Sequence, residues 1–320
     1  MKRSPIIMCE AHRAGGARAS HGPGRPVLHA RNIRGRRSLT RDGEDSNGLR
    51  AYPEARDIPV QGDPAPAWLV HDLKVAEEVQ HRLLPQSVPR LPDYDFFTYY
   101  RAAYEVGGDY YDFVPMSGDR LGIALGDVSG KGVAAALIMA KFSGDTRHAL
   151  RTCESPSTAA AALNEAICEV GLDERYITLS LSVLNTRTGR LQVCSAGHPP
   201  LLLRRAEGTV EELTRGSGCL PLGIMPGAAY AHIEVELRPG DVAVIYSDGV
   251  TDARSPGGWL FDTHEQPRLR RVLEETDGAV EAVGWAILRA VQEFSRGQPQ
   301  ADDLTLVCFG RTEGRSSGSS

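Results

Sequence analysis

Apolar residues alternate with small or polar ones in short runs along much of this chain, and several of the runs meet an acid. Leu121, Ile123 and Leu125 lead up to Asp127, Val242, Val244 and Tyr246 lead up to Asp248, and Leu304, Leu306 and Cys308 lead away from Asp302. Runs of this kind predict strands over 96–100, 109–115, 121–127, 177–185, 190–196, 201–205, 232–237, 242–247 and 304–309. The turn at 186–189 makes 177–196 a hairpin. Longer patterned stretches predict helices over 133–151, over 157–170 with Ser157 as N-cap, over 266–275 and over 280–296. Strands joined by hairpins exclude a simple doubly wound parallel sheet.

One more helix is expected over 67–84, closed by Pro85, with Leu69, Leu73, Ala76, Gln80 and Leu83 spaced alternately by four and three residues. Such a seam is too short to be stable alone, so it must pack against its own domain or against a second copy.

Four short acidic motifs adjoin the apolar runs: GGDYYD at 107–112, GDVSGKG at 126–132, YSDGVTDA at 246–253 and ADDLT at 301–305. Any one Asp-Gly or Gly-Asp pair is ordinary turn chemistry. Four acids at strand ends instead predict a carboxylate-lined site for a hard divalent cation such as Mg²⁺ or Mn²⁺, which wants oxygen ligands and keeps several waters. Gly107, Gly108, Gly126 and Gly249 leave room beside the acids for a sharp turn or a close carbonyl. The cysteines lack the C-x5-R loop of a thiol phosphatase, and no GxxxxGK[ST] nucleotide loop is present.

These motifs, together with AEEVQHRLLP at 76–85, SAGHPPLLL at 195–203 and PLGI at 221–224, resemble the PPM (type 2C) metal-dependent protein phosphatases, and within them the SpoIIE/RsbU-like branch. The resemblance covers about three quarters of the chain. It implies an α+β fold, a four-layer α-β-β-α sandwich of two packed antiparallel sheets flanked by helices. It also implies two Mn²⁺ or Mg²⁺ ions ligated or supported by Asp109, Asp127, Asp248 and Asp302, with the Val128 backbone carbonyl contributing. Asp302 is the expected ligand of its pair; Asp303, His198 and Arg101 are candidates for a substrate or acid role. Two such ions can lower the pKa of a shared water and clamp the phosphate oxygens. Many relatives carry a His after the Asp-Gly of the second motif, where this chain has Asp127-Val128-Ser129, so the general acid stays open between a metal-bound water and His198. For His198, a structural loop role is the blander alternative. Arg101 and Lys131 are either phosphate holders or solvated surface charges. The implied substrate is a phosphoserine on a STAS-type anti-anti-sigma factor in partner switching, and the helix at 67–84 is implied to regulate or dimerise the enzyme. A catalytically silent module that keeps the fold and recruits a partner is the alternative.

Charge divides the chain. Residues 1–66 carry 12 Lys/Arg against 7 Asp/Glu, a net of +5, and the remainder carries −10 within a total of −5. The first stretch, rich in Gly, Pro, Ser and Arg, is expected to be a disordered tail, followed by a linker helix and turn over 67–92, the phosphatase domain over 93–312 and a second tail over 313–320. A net of −10 opposes a two-metal nuclease, so no nucleic-acid partner is expected. No apolar run approaches the roughly 18 residues of a membrane span. Six cysteines without a CxxC pair fit free thiols in a reducing, cytoplasmic setting.

Overall fold

The computed structural model of the protein describes residues 66–171, 175–214 and 219–312. Apart from Pro66, the basic segment 1–66 and the tail 313–320 lie outside the described residues. In chain order the elements are α1 (Ala67–Leu83), β1 (Tyr94–Arg101), β2 (Asp109–Met116), β3 (Arg120–Val128), α2 (Gly132–Thr152), α3 (Pro156–Cys168), β4 (Ile177–Asn185) and β5 (Arg190–Ala196). They continue with β6 (Leu201–Arg204), β7 (Val210–Leu213), β8 (His232–Glu236), β9 (Val242–Tyr246), α4 (Asp248–Thr251), α5 (Arg268–Glu275), α6 (Val280–Ser295) and β10 (Leu304–Arg311). The first sheet runs β1-β10-β9-β6-β7 and the second β2-β3-β4-β5-β8, with antiparallel pairing throughout. Helices α5 and α6 cover the first sheet and α2 and α3 the second, which completes the expected four-layer sandwich.

The alternation read from the sequence is real, but both faces of the central strands are buried. Val307 and Phe309 of β10, with Ala243 and Ile245 of β9, point between the sheets; Leu304, Leu306 and Cys308, with Val242 and Val244, point to α5 and α6. On β3 the helix-facing positions are small because α2 lies close. A Cβ on Gly122 would meet Leu150 Cδ1 at 2.8 Å, and one on Gly126 would meet Phe142 Cε1 at 2.8 Å.

Two short elements escape the pattern. In β7 the sequence is Val-Glu-Glu-Leu, and the paired charges hide the strand: Arg205 holds Glu211 at 2.5 Å and Arg270 holds Glu212 at 2.7 Å. The single turn of α4 is too short to show any period. One helix start is corrected. Ser155, not Ser157, caps α3, forming a reciprocal capping box with Thr158 and placing Pro156 in the first turn, where its missing N–H costs nothing.

Along α1 the seam residues Leu69, Leu73, Ala76 and Leu83 are half-buried and Gln80 is buried, while every other residue of the helix is exposed. The seam therefore faces the domain. Arg147 of α2 fixes its end, with one guanidinium nitrogen donating to the Leu83 carbonyl at 2.6 Å and another to Asp112 at 2.5 Å.

Candidate metal centre

The two acids of the second sheet face each other by register. Asp109 opens β2, Asp127 lies one residue from the end of β3, and the ladder pairs them directly, which sets their Cβ atoms about 5 Å apart on one face. The first sheet supplies the other two. β9 ends at Tyr246, so Asp248 falls at the start of α4, and Asp302 sits two residues before the adjacent strand β10.

These groups repel one another, and their acidities record it. Burial first, then Asp127 and Asp303, push Asp109 well above the ordinary carboxylate range, while hydrogen bonds from Thr305 and Ser247 pull the other way. Asp127 is pushed up to about 7 by burial and then by Asp248, Asp302 and Asp303. Asp248 is pushed up to about 6 by burial, Asp302 and Asp252. Lys131 opposes the shift at both Asp127 and Asp248. Its ammonium, though exposed, pairs with Asp302 Oδ2 at 2.9 Å and donates to the Ala301 carbonyl.

Hard oxygen donors with too little positive charge among them fit a divalent cation. The backbone fits as well. A Cβ on Gly108 would lie 2.9 Å from the Val128 carbonyl oxygen, so glycine is what leaves that carbonyl room beside Asp109. No three His, Cys, Asp or Glu side chains among the described residues close on one point. An open set of this kind suits ions that retain several waters.

Asp303 does different work from its neighbour. Its carboxylate accepts backbone N–H groups from Ala103 at 2.8 Å, Gly108 at 2.6 Å and Asp109 at 3.3 Å, and so holds the first motif in place. Thr305 ties the sheets together by donating from Oγ1 to Asp109 Oδ2 at 2.5 Å. Of the remaining candidates, His198 is buried, its Nδ1 lies 2.8 Å from Thr178 Oγ1, and burial pushes its pKa down to about 3. It is neutral at physiological pH, which leaves it without an imidazolium proton to give a leaving group. Arg101, at the end of β1, is exposed and lines a groove that also contains Asp302.

Gln80 is the residue whose role the motifs did not disclose. Its amide accepts the Gly107 N–H at 2.9 Å and donates to the Gly107 carbonyl at 2.7 Å, a clamp on the residue two before Asp109. The available signal was a polar residue in an apolar seam. Gln80→Ala leaves two buried backbone groups unpaired and is expected to cost about 1–3 kcal/mol. Apparent Mn²⁺ affinity should fall severalfold, read by calorimetry; unchanged affinity would detach α1 from the site.

The raised pKa values also predict a pH dependence. Each of these acids keeps a proton in the folded state that the unfolded chain, near its ordinary 3.8, has already released. Stability of the metal-free protein is therefore fully present below about pH 4 for these groups and is lost as pH rises through about 6 and 7. Melting in chelator should be several degrees higher at pH 5 than at pH 8, and Asp127→Asn should shrink the difference. A difference identical in the mutant would place the titrating groups elsewhere.

Known proteins share these features. The SpoIIE family, stage II sporulation protein E, matches residues 117–312. The chain is 31% identical over 246 residues to the phosphoserine phosphatase RsbU of Bacillus subtilis (strain 168), across 75% of this chain and 70% of RsbU. It is 28% identical over 267 residues to protein IcfG of Synechocystis sp., across 75% of this chain, and spans only 41% of that relative's length. Among solved structures, the SiaA-PP2C domain of Pseudomonas aeruginosa shares the fold, with a TM-score of 0.66 at 22% identity over 77% of this chain and 98% of that one. With the family matching well over half of its length and the acids held at one edge of a two-sheet sandwich, the chain belongs to the SpoIIE family, in the RsbU-like branch of the PPM (type 2C) phosphatases.

Proposed function

We propose that this chain is a metal-dependent protein serine/threonine phosphatase that hydrolyses phosphoserine or phosphothreonine on a protein partner. The observation that carries the reading is the carboxylate set drawn from both sheets, Asp109 and Asp127 from one, Asp248 and Asp302 from the other, with the pKa values of Asp109, Asp127 and Asp248 raised by burial and by neighbouring acids. Asp109, Asp127, Asp248, Asp302 and the Val128 carbonyl would hold two Mn²⁺ or Mg²⁺ ions, which when bound supply an activated water and neutralise phosphoryl charge. Asp303 and Gln80 position the Gly107–Asp109 turn, and Thr305 orients the Asp109 carboxylate.

The finer reading, that the substrate is a phosphorylated STAS-type anti-anti-sigma factor met in the cytoplasm, is supported by the similarity to RsbU. A homodimer through the 67–84 helix is supported by Trp68, Val75 and Val79, large apolar residues left exposed on α1. No helix among the described residues is long and apolar enough to cross a membrane.

Hydrolysis of p-nitrophenyl phosphate with Mn²⁺, with Mg²⁺ and after chelation tests the reaction class, with calorimetry of Mn²⁺ binding beside it. Turnover should need the ion and return when it is restored. Turnover that survives exhaustive chelation would overturn the metal chemistry, and Mn²⁺ binding without turnover would make the chain a silent binding module.

A further inference from the structure

Besides its phosphate ester, a protein substrate brings the chain on either side of its phosphorylated residue. That chain has to cross a neighbouring surface. Next to the cluster lies a groove of about 520 Å³, with Asp302 and Asp252 at the site end, Arg101 and Arg254 among its walls and Trp285 and Leu288 contributed by α6. Asp302 belongs to both, so the groove is continuous with the site.

Two features give the groove a chemistry. Arg101 and Arg254 are exposed, and neither side chain has a hydrogen-bond or ion-pair partner among the described residues. In residues 67–320, which carry a net charge of −10, two uncommitted arginines along one groove single it out. Arg254 is also held on a short hairpin, closed by its bridge to Leu260 and by the Ser255 N–H donating to the Trp259 carbonyl at 2.9 Å. The second feature is Trp285. Its ring packs edge-on to Phe97, centroids 5.3 Å apart, yet the residue is 47% exposed. Trp and Arg are the residues that most often anchor protein interfaces, because each offers a large, stiff contact with a polar or charged tip.

We propose that this groove receives the polypeptide flanking the phosphorylated residue of the substrate, and that it selects a flank combining carboxylates with an apolar side chain. The carboxylates pair with Arg101 and Arg254, in the forked geometry guanidinium favours, and the apolar side chain covers Trp285 and Leu288. The inference rests on the phosphatase reading for its orientation, with the ester at Asp302 and the flank leading away along α6.

Two synthetic phosphoserine peptides test it, one with Glu and Leu flanks and one with Lys and Leu flanks, against p-nitrophenyl phosphate as an ester with no flank. The wild-type enzyme with Mn²⁺ should turn over the acidic peptide with a kcat/KM about tenfold above that of the basic one, a preference weakened by salt. Arg254→Glu should abolish or invert the preference while leaving the small ester within about twofold, and Trp285→Ala should raise KM for both peptides. Anisotropy of the same labelled peptides on metal-free protein supplies an arm independent of turnover. Selective binding of the acidic peptide, lost in Arg254→Glu, with no hydrolysis of any ester would sink the phosphatase reading and leave the groove standing. Equal binding of the two peptides, or an Arg254→Glu defect equally large on the small ester, would overturn the groove.

Discussion

Asp127→Ala and Asp248→Ala are each expected to lose at least about a hundredfold in turnover of a small phosphate ester, without melting earlier than the wild type when metal is absent. The two halves of this result come from one fact. Burial and neighbouring acids push these carboxyls up to about 7 and about 6, so in the metal-free fold each is a source of repulsion. Deleting one relieves the fold and removes an oxygen that no neighbour replaces, because Asp303 is already engaged with three backbone N–H groups. Initial rates over a Mn²⁺ titration, paired with melting curves in chelator, measure both. Near wild-type turnover at limiting Mn²⁺ would show that the site had been placed on the wrong residues.

Gly249→Ala is expected to damage the protein more than its single methyl suggests. The added Cβ would lie 2.0 Å from the Asp303 carbonyl oxygen and 2.8 Å from its carbon, both backbone atoms. That carbonyl accepts the Ser247 hydroxyl at 3.1 Å, the same Ser247 oxygen accepts the Thr305 N–H at 3.0 Å, and the Ser247 N–H donates to the Thr305 carbonyl at 3.0 Å. Any relief therefore moves 302–303, and with it the carboxylate that holds Gly108 and Asp109. Overpacking of this kind costs about 1–3 kcal/mol, which for a domain of this size lowers the melting temperature by roughly 2–4 °C per kcal/mol. A misplacement near 1 Å can cost about a hundredfold in rate. Gly144→Ala is the control: nothing lies within 4 Å of its new Cβ, and in the interior of α2 it should stabilise by about 0.5–1 kcal/mol. Equal behaviour of the two variants would show that the turn at Gly249 is not constrained.

What could be read in the sequence was what a few consecutive residues decide. The apolar runs of β3, β9 and β10 give their strands directly, and the acid beside each run marks where a carboxylate sits relative to its sheet. Ser155 was missed in favour of Ser157 because both precede an apolar run, and only the extended backbone at Ser155 with the Thr158 reciprocal bond distinguishes them. Gln80 clamps a residue 27 positions away, Lys131 reaches a carbonyl 170 away and Asp303 holds an N–H 195 away. Contacts of that range depend on how the two sheets are stacked, which no local pattern encodes. For Lys131 the structure adds to an exposed surface charge an ion pair with Asp302.

The acids are divided between two sheets that share no backbone hydrogen-bond ladder, and this gives metal binding a mechanical meaning. An ion held by Asp127 on one side and Asp248 on the other would be a clasp across the open edge of the sandwich, added to the hydrogen bonds from Thr305 to Asp109 and from Gly108 and Asp109 to the Asp303 carboxylate. Without ions, this edge is where local opening should begin, with β2 and β10 parting from their Asp109 and Leu304 ends while the far side stays closed. Amide exchange in those strands, slow in the presence of Mn²⁺ and fast in chelator, would then follow the closure of the sandwich itself.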